Sequence, residues 1–199
     1  YCAKVQAGEI EDIRPCIACH NGCFAISKGP DGTTGTNPVG NGHCALNPAT
    51  LEEKKKALTP AAVKKRVAVI GGGIGGMEAA RVAALRGHSV TLYEKSGELG
   101  GVFIAAAAPS FKEKDKMLIA WYIRQLEKLK VDIRLDSEIT PENLSSLDAD
   151  EIIIATGAKY RSLRADGADR ENVMNAVEYL RGYKETGENV VIVGGGLTG

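Results

Sequence analysis

The sequence predicts an α/β fold with a parallel sheet, and three observations carry that prediction. Apolar runs of strand length alternate with stretches of helical periodicity between residues 66 and 154. Two such runs open into glycines with closely similar text, VAVIGGGIGG at 67–76 and VVIVGGGLTG at 190–199. A strand that ends in G-x-G-x-x-G and passes into a helix is the pattern of a phosphate-holding turn. Glycine admits close backbone approach there, and the helix N-terminus presents unpaired N–H groups to an anion.

Composition narrows the classes of partner. The chain has 199 residues, enough for one good core, with 25 Lys and Arg against 25 Asp and Glu. That balance supplies no basic field for a nucleic-acid backbone, so no nucleic-acid partner is expected. The 24 glycines fall in loops between apolar runs and form no repeat. No stretch reaches the ~18 apolar residues of a membrane span, and the N-terminus carries no charged-then-apolar leader. No membrane partner is expected, and a cytoplasmic setting is the simplest reading. The chain starts at Tyr1 and stops inside a glycine turn, so it reads as a fragment at both ends.

Four of the five cysteines lie in one segment. Cys16, Cys19 and Cys23 are spaced C-x2-C-x3-C, and Cys44 follows after a further twenty residues. In a chain without a secretory leader such clustering argues for a metal or iron–sulfur site over a disulfide framework. Four thiolates suit either Zn2+ or a 4Fe–4S cluster. Three close ligands and one remote one favour the cluster over a zinc ribbon, which presents two paired knuckles. The alternative of buried, reduced cysteines fits poorly with neighbours such as Gly, His, Asn and Pro. His20 and His43 lie beside ligand positions, where either can replace a thiolate on a zinc ion, but they read first as hydrogen-bond donors to the ligands or as surface residues. Cys2, in a stretch that reads as the end of a helix, has no role. Residues 27–41 read as a surface loop, and the Lys/Glu-rich stretch from 49 to 65 as a solvated connector.

From Arg66 the pattern becomes strand, glycine turn, helix and strand, with strands at 67–70 and 89–93. Gly71, Gly73 and Gly76 fit the dinucleotide fingerprint, and Glu94 follows 18 residues after Gly76 at the end of the second strand. An acid there can accept hydrogen bonds from ribose hydroxyls. Gly71 permits the turn, Gly73 the approach of a pyrophosphate, and Gly76 close packing of helix on sheet. Gly100 and Gly101 stand just past the second strand, where another close approach to a ligand is plausible. Leu118, Tyr122, Leu126 and Leu129 form one helical face of core residues. A short strand follows at 131–135. Residues 152–154 are continuously apolar, the pattern of a central strand covered on both faces. Ala155, Thr156 and Gly157 end that strand with small residues across which a cofactor can lie.

Together with the second fingerprint at Gly194, Gly196 and Gly199, these motifs resemble the two-dinucleotide-domain flavoproteins. In that superfamily a Rossmann-like first domain binds FAD, and the second fingerprint binds NAD(P)H. The cysteine segment, with its Asn47-Pro48 tail, narrows the resemblance to the iron–sulfur members of the old yellow enzyme-like NADH:flavin oxidoreductases. That group includes the 2,4-dienoyl-CoA reductase, 2-enoate reductase and trimethylamine dehydrogenase types.

The resemblance implies that Cys16, Cys19, Cys23 and Cys44 hold a 4Fe–4S cluster, and that Gly71, Gly73, Gly76 and Glu94 contact FAD. Gly194 and Gly196 would begin the NAD(P)H site. It further implies electron flow from NAD(P)H through FAD and the cluster to FMN in an upstream (β/α)8 barrel, which binds a small-molecule substrate and reduces an activated C=C bond. Residues 1–15 would then end that barrel, 16–58 form the cluster segment and linker, 64–187 the FAD domain, and 188–199 the start of the NAD(P)H domain. On this reading the fragment alone does not complete a catalytic cycle.

Two other readings compete. One is an electron-transfer subunit, resembling the small subunit of glutamate synthase, that passes NAD(P)H electrons to a partner protein. The other is a zinc-stabilised binding module with a vestigial nucleotide fold.

Overall fold

Val67, Ala68, Val69 and Ile70 are all buried, as only a strand flanked on both sides can be. They belong to β3 (Arg66–Ile70), the strand around which the main sheet is built. The computed structural model describes residues 1–20, 23, 26–28, 34–36, 44–160 and 163–195. Ahead of β3 lie helix α1 (Cys2–Gln6), a 3-10 turn at Ile10–Asp12, and an antiparallel pair β1 (Ile26–Lys28) and β2 (Thr34–Thr36). The stretch expected to be a plain loop at 27–41 thus contains part of a hairpin.

After β3 come α2 (Ile74–Leu85), β4 (Ser89–Tyr93), α3 (Phe103–Ala106), α4 (Glu113–Lys128), β5 (Asp132–Arg134), β6 (Glu151–Ile154) and α5 (Ala176–Leu180). The sheet order is β5-β4-β3-β6, all parallel, with Val67 beside Val90 and Val69 beside Leu92. Those four side chains share one face and form the core with Met77, Ala80 and Ala83 of α2 and Leu118, Trp121, Tyr122 and Leu126 of α4. The expected stripe on α4 is therefore core, with Trp121 added to it. Leu129 lies just past the helix end and packs against the cluster from its margin.

One sequence expectation is corrected. Among the described residues, 152–154 do not form a central strand. There β6 pairs with β3 on one side only and is the sheet's edge, with Ile154 72% exposed. Continuous apolarity reflects what a strand could bury, whereas its place in the order is decided by which elements pack beside it. Residues 190–193, read from the sequence as the opening run of a second domain, pair with no strand among the described residues, and Val191 is 89% exposed. An extended run without a neighbouring strand has no ladder to join. The connector at 49–65 is exposed turns, with Lys55 and Lys56 paired to Glu52. Among the described residues no helix is long and apolar enough to cross a membrane.

Candidate functional site

The C-terminal ends of β3, β4 and β6 meet at one place, and the fingerprint glycines line it. Gly71 leaves β3 with its N–H donating to the Tyr93 carbonyl at 2.8 Å, which carries the β3–β4 ladder one residue further. Its φ of +109° and a would-be Cβ 2.3 Å from the Ala155 carbonyl oxygen make this a position only glycine fills. Gly76 sits in the first turn of α2, where a Cβ would lie 1.8 Å from the Gly71 carbonyl oxygen. Helix and turn are therefore in direct backbone contact.

Gly73 differs from both. It is the N-cap of α2, with extended backbone and no side-chain hydrogen bond, and nothing lies within 4 Å of its would-be Cβ. The first-turn N–H groups of α2 thus begin beside open space, as an incoming phosphate requires.

Glu94 closes the site from β4. It is 7% exposed, and its Oε2 accepts from the Gly72 N–H at 2.6 Å. Its Oε1 accepts from the Ser96 N–H at 2.9 Å and the Ser96 hydroxyl at 2.8 Å. Burial pushes this carboxyl up. The hydrogen bonds from Ser96 and Gly72, with the Lys95 charge, outweigh burial and hold it below the ordinary glutamate value. The residue is an ionised anchor for the turn.

The other expected residues converge here too. The Gly100 N–H donates to the Gly72 carbonyl at 2.9 Å, Gly100 bridges to Gly73, and a Cβ on Gly101 would lie 3.1 Å from the Gly73 Cα. Ala155 donates its N–H to Ile70 at 2.8 Å, and its carbonyl and the Thr156 nitrogen face Gly71. Gly157 follows at φ +74° with nothing near its would-be Cβ. Gly194 has φ +122° but open surroundings, and Gly196 and Gly199 lie outside the described residues. Gly72, Ser96 and Leu99 belong to the site although no motif marked them. A Cβ on Gly72 would meet Leu99 Cδ2 at 2.5 Å.

The cysteine segment is less closely gathered. Cys2, Cys16, Cys19 and Cys23 are exposed, Cys44 is half-buried, and all five are free thiols. Among the described residues no three His, Cys, Asp or Glu side chains stand close enough to hold a metal ion. His43 lies outside the described residues. The local chemistry nevertheless suits a thiolate cluster. The Ala18 N–H donates to Cys16 Sγ at 3.4 Å, and Ala18 and His20 both take left-handed backbone on either side of Cys19. Four cysteine sulfurs in one segment, one of them accepting a backbone N–H, are the kind of donor an iron–sulfur site uses.

A parallel sheet whose first strand ends in this turn, with an acid on the neighbouring strand, defines a dinucleotide-binding α/β protein. The profile of the pyridine nucleotide-disulphide oxidoreductase family matches residues 43–142 and 65–199, and the chain belongs to that family. It is 41% identical over 196 residues to cinnamate reductase of Clostridium sporogenes, covering 98% of this chain and 28% of that protein. It is 37% identical over 201 residues to an NADH oxidase of Thermoanaerobacter brockii, covering 98% and 30%. The structure of 2-naphthoyl-CoA reductase superposes with a TM-score of 0.82 at 34% identity, covering 94% of this chain and 27% of that one. These relatives agree with the resemblance to old yellow enzyme-like flavin oxidoreductases. The chain spans less than a third of each relative's length.

Proposed function

We propose that this chain is the FAD-carrying and cluster-carrying part of an NAD(P)H-dependent flavoenzyme that reduces an activated C=C bond in a small molecule. The observation that carries the proposal is the joint placement of Gly71, Gly73, Gly76, Glu94, Gly100 and Ala155 at one sheet end, with a four-cysteine segment ahead of it in the chain. Similarity over nearly the full chain to a protein named cinnamate reductase supports the C=C substrate class.

Bound there, FAD would accept a hydride from the nicotinamide and release electrons singly, which a 4Fe–4S cluster can take up. The chain's own residues bind and orient. The first-turn N–H groups of α2 would hold the pyrophosphate, and the open side of Gly73 would let it approach. An ionised carboxylate offers about four acceptor sites, and Gly72 and Ser96 use three of those on Glu94, so Oε2 keeps room for a ribose hydroxyl. Gly100 and Gly101 line the approach beside Gly73, and Ala155, Thr156 and Gly157 leave the strand end low enough for a cofactor to cross. Cys16, Cys19, Cys23 and Cys44 would hold the cluster. FMN and the substrate would bind in a (β/α)8 barrel outside this chain, and Gly194, Gly196 and Gly199 would begin the NAD(P)H site. A cytoplasmic setting fits reduced thiols of this kind.

The test is anaerobic purification of the holoprotein, with its visible spectrum and with iron, zinc and flavin analysis. The reading expects FAD and about four irons for each four-cysteine segment. Zinc in place of iron, or a folded protein without flavin, overturns it.

A further inference from the structure

Arg14 stands two residues before Cys16, and Leu46 two residues after Cys44, so these two positions are the margins of the cysteine-bearing segment. The structure joins them. One guanidinium nitrogen of Arg14 donates to the Leu46 carbonyl, and the other donates to both carboxylate oxygens of Glu78 on α2, at 3.2 and 3.3 Å. The guanidinium carbon lies 4.5 Å from the centre of the Trp121 ring on α4 and 5.6 Å from that of Tyr122. Glu78 is in turn fixed by Arg81, at 2.7 and 2.8 Å. The Arg14 side chain is only 17% exposed.

An independent set of contacts seats the same segment. Ile17, next to Cys16, and Leu46 both pack against the hydrophobic core. Upstream, the Asp12 carbonyl accepts from the Trp121 indole N–H at 2.9 Å, and the Asp12 carboxylate accepts from Gln125 at 3.2 Å and from Lys128. Arg124 donates to the Glu11 carbonyl at 2.7 Å. Residues 11–14 are thus strapped along α4 before the first ligand cysteine is reached.

We infer that Arg14 is a positioning residue for the cluster. By holding the Leu46 carbonyl, Glu78 and Trp121 at once, it registers both margins of the cysteine segment on the dinucleotide unit. The inference rests on the cluster reading given under Proposed function. Its physical basis is that the ends of a long ligand loop must be brought together before the remote Cys44 can share one cluster with Cys16, Cys19 and Cys23, at an entropic cost that fixed ends reduce. Arginine suits the task because its planar fork can donate in two directions while its face stacks on an aromatic ring. An ammonium group cannot do all three together.

The experiment compares wild-type, Arg14→Met and Arg14→Lys holoprotein, each purified anaerobically. Three quantities are read: the rate of iron loss to a chelator, the electron paramagnetic resonance spectrum of the reduced cluster, and FAD content. Arg14→Met is expected to lose iron about tenfold faster, the scale on which outer-shell partners act on a metal site. Its cluster spectrum is expected to change while FAD stays at the wild-type level. Arg14→Lys is expected to fall between the two.

Iron loss and a spectrum unchanged in Arg14→Met overturn the inference, as does a lysine variant indistinguishable from wild type. Parallel loss of FAD and iron in both variants overturns it too, because Arg14 would then only support the fold. A wild-type protein with no iron overturns the cluster reading itself and the inference with it.

Discussion

The glycine run that follows β3 and the one that begins at Gly194 carry nearly the same residues, but Gly71 and Gly72 differ from Gly194 and Gly195 in their surroundings. Gly71 and Gly194 share a left-handed backbone, with φ of +109° and +122°. Gly71 is hemmed in by Ala155, and Gly72 by Leu99 and Glu94, whereas nothing lies within 4 Å of the would-be Cβ of Gly194 or Gly195. The strand before the first turn is buried, while residues 190–193 are exposed and pair with no strand among the described residues. The positive φ of the first glycine is therefore a local property of the run. The strand and the packed site are not local. They need β4, β6 and Glu94 beside them.

The sharpest way to break this comparison is to truncate the apolar residues of each run. Leu92, wholly buried beside Val69, should cost about 3 kcal/mol as Leu92→Ala, whereas Val191→Ala should stay within about 0.5 kcal/mol. Urea unfolding midpoints check both. The next effect is at the paired middle glycines. Gly72→Ala drives a methyl into Leu99 and should cost about 2 kcal/mol, while Gly195→Ala meets only open space and should be neutral in a thermal melt.

Glu94→Gln should cost about 1.5 kcal/mol at neutral pH, since an amide replaces a carboxylate that accepts three hydrogen bonds. The pH dependence has a definite sign. Because the folded carboxyl titrates below the ordinary value of 4.5, its contribution is complete above that pH. It is lost as pH falls through the folded value. The gap between wild type and Glu94→Gln should therefore narrow below pH 4.5 in an acid unfolding series, and a constant gap would remove the charge from the account. The smallest effect is expected at the sheet edge, where Ile154→Thr should change the unfolding free energy of this chain by under about 0.5 kcal/mol, read from the urea midpoint.

Much of the dinucleotide unit was legible in the sequence because its signals are local. Apolar runs of strand length beside the glycine turn marked β3 and β4 to within a residue, the spacing of Leu118, Tyr122 and Leu126 marked α4, and the distance from Gly76 put Glu94 at the end of β4. Three things were not legible, each because it depends on contacts distant in the chain. The edge position of β6 follows from strand order. Ser96 and Gly72 hold Glu94 only because the loop returns over the turn. Arg14 meets Glu78 and Trp121 across more than sixty and more than a hundred residues respectively, a separation that leaves no periodic trace.

Gly73 offers the most direct test of the central claim that the first turn is a built dinucleotide site. Its backbone is extended and its would-be Cβ meets nothing, so Gly73→Ala should leave the unfolding midpoint unchanged. The added methyl would nevertheless stand where the pyrophosphate approaches. Titrating FAD onto the flavin-stripped protein is predicted to show affinity reduced at least about tenfold in this variant, a difference of ~1.4 kcal/mol. Wild-type FAD affinity in a stably folded Gly73→Ala protein would contradict the account.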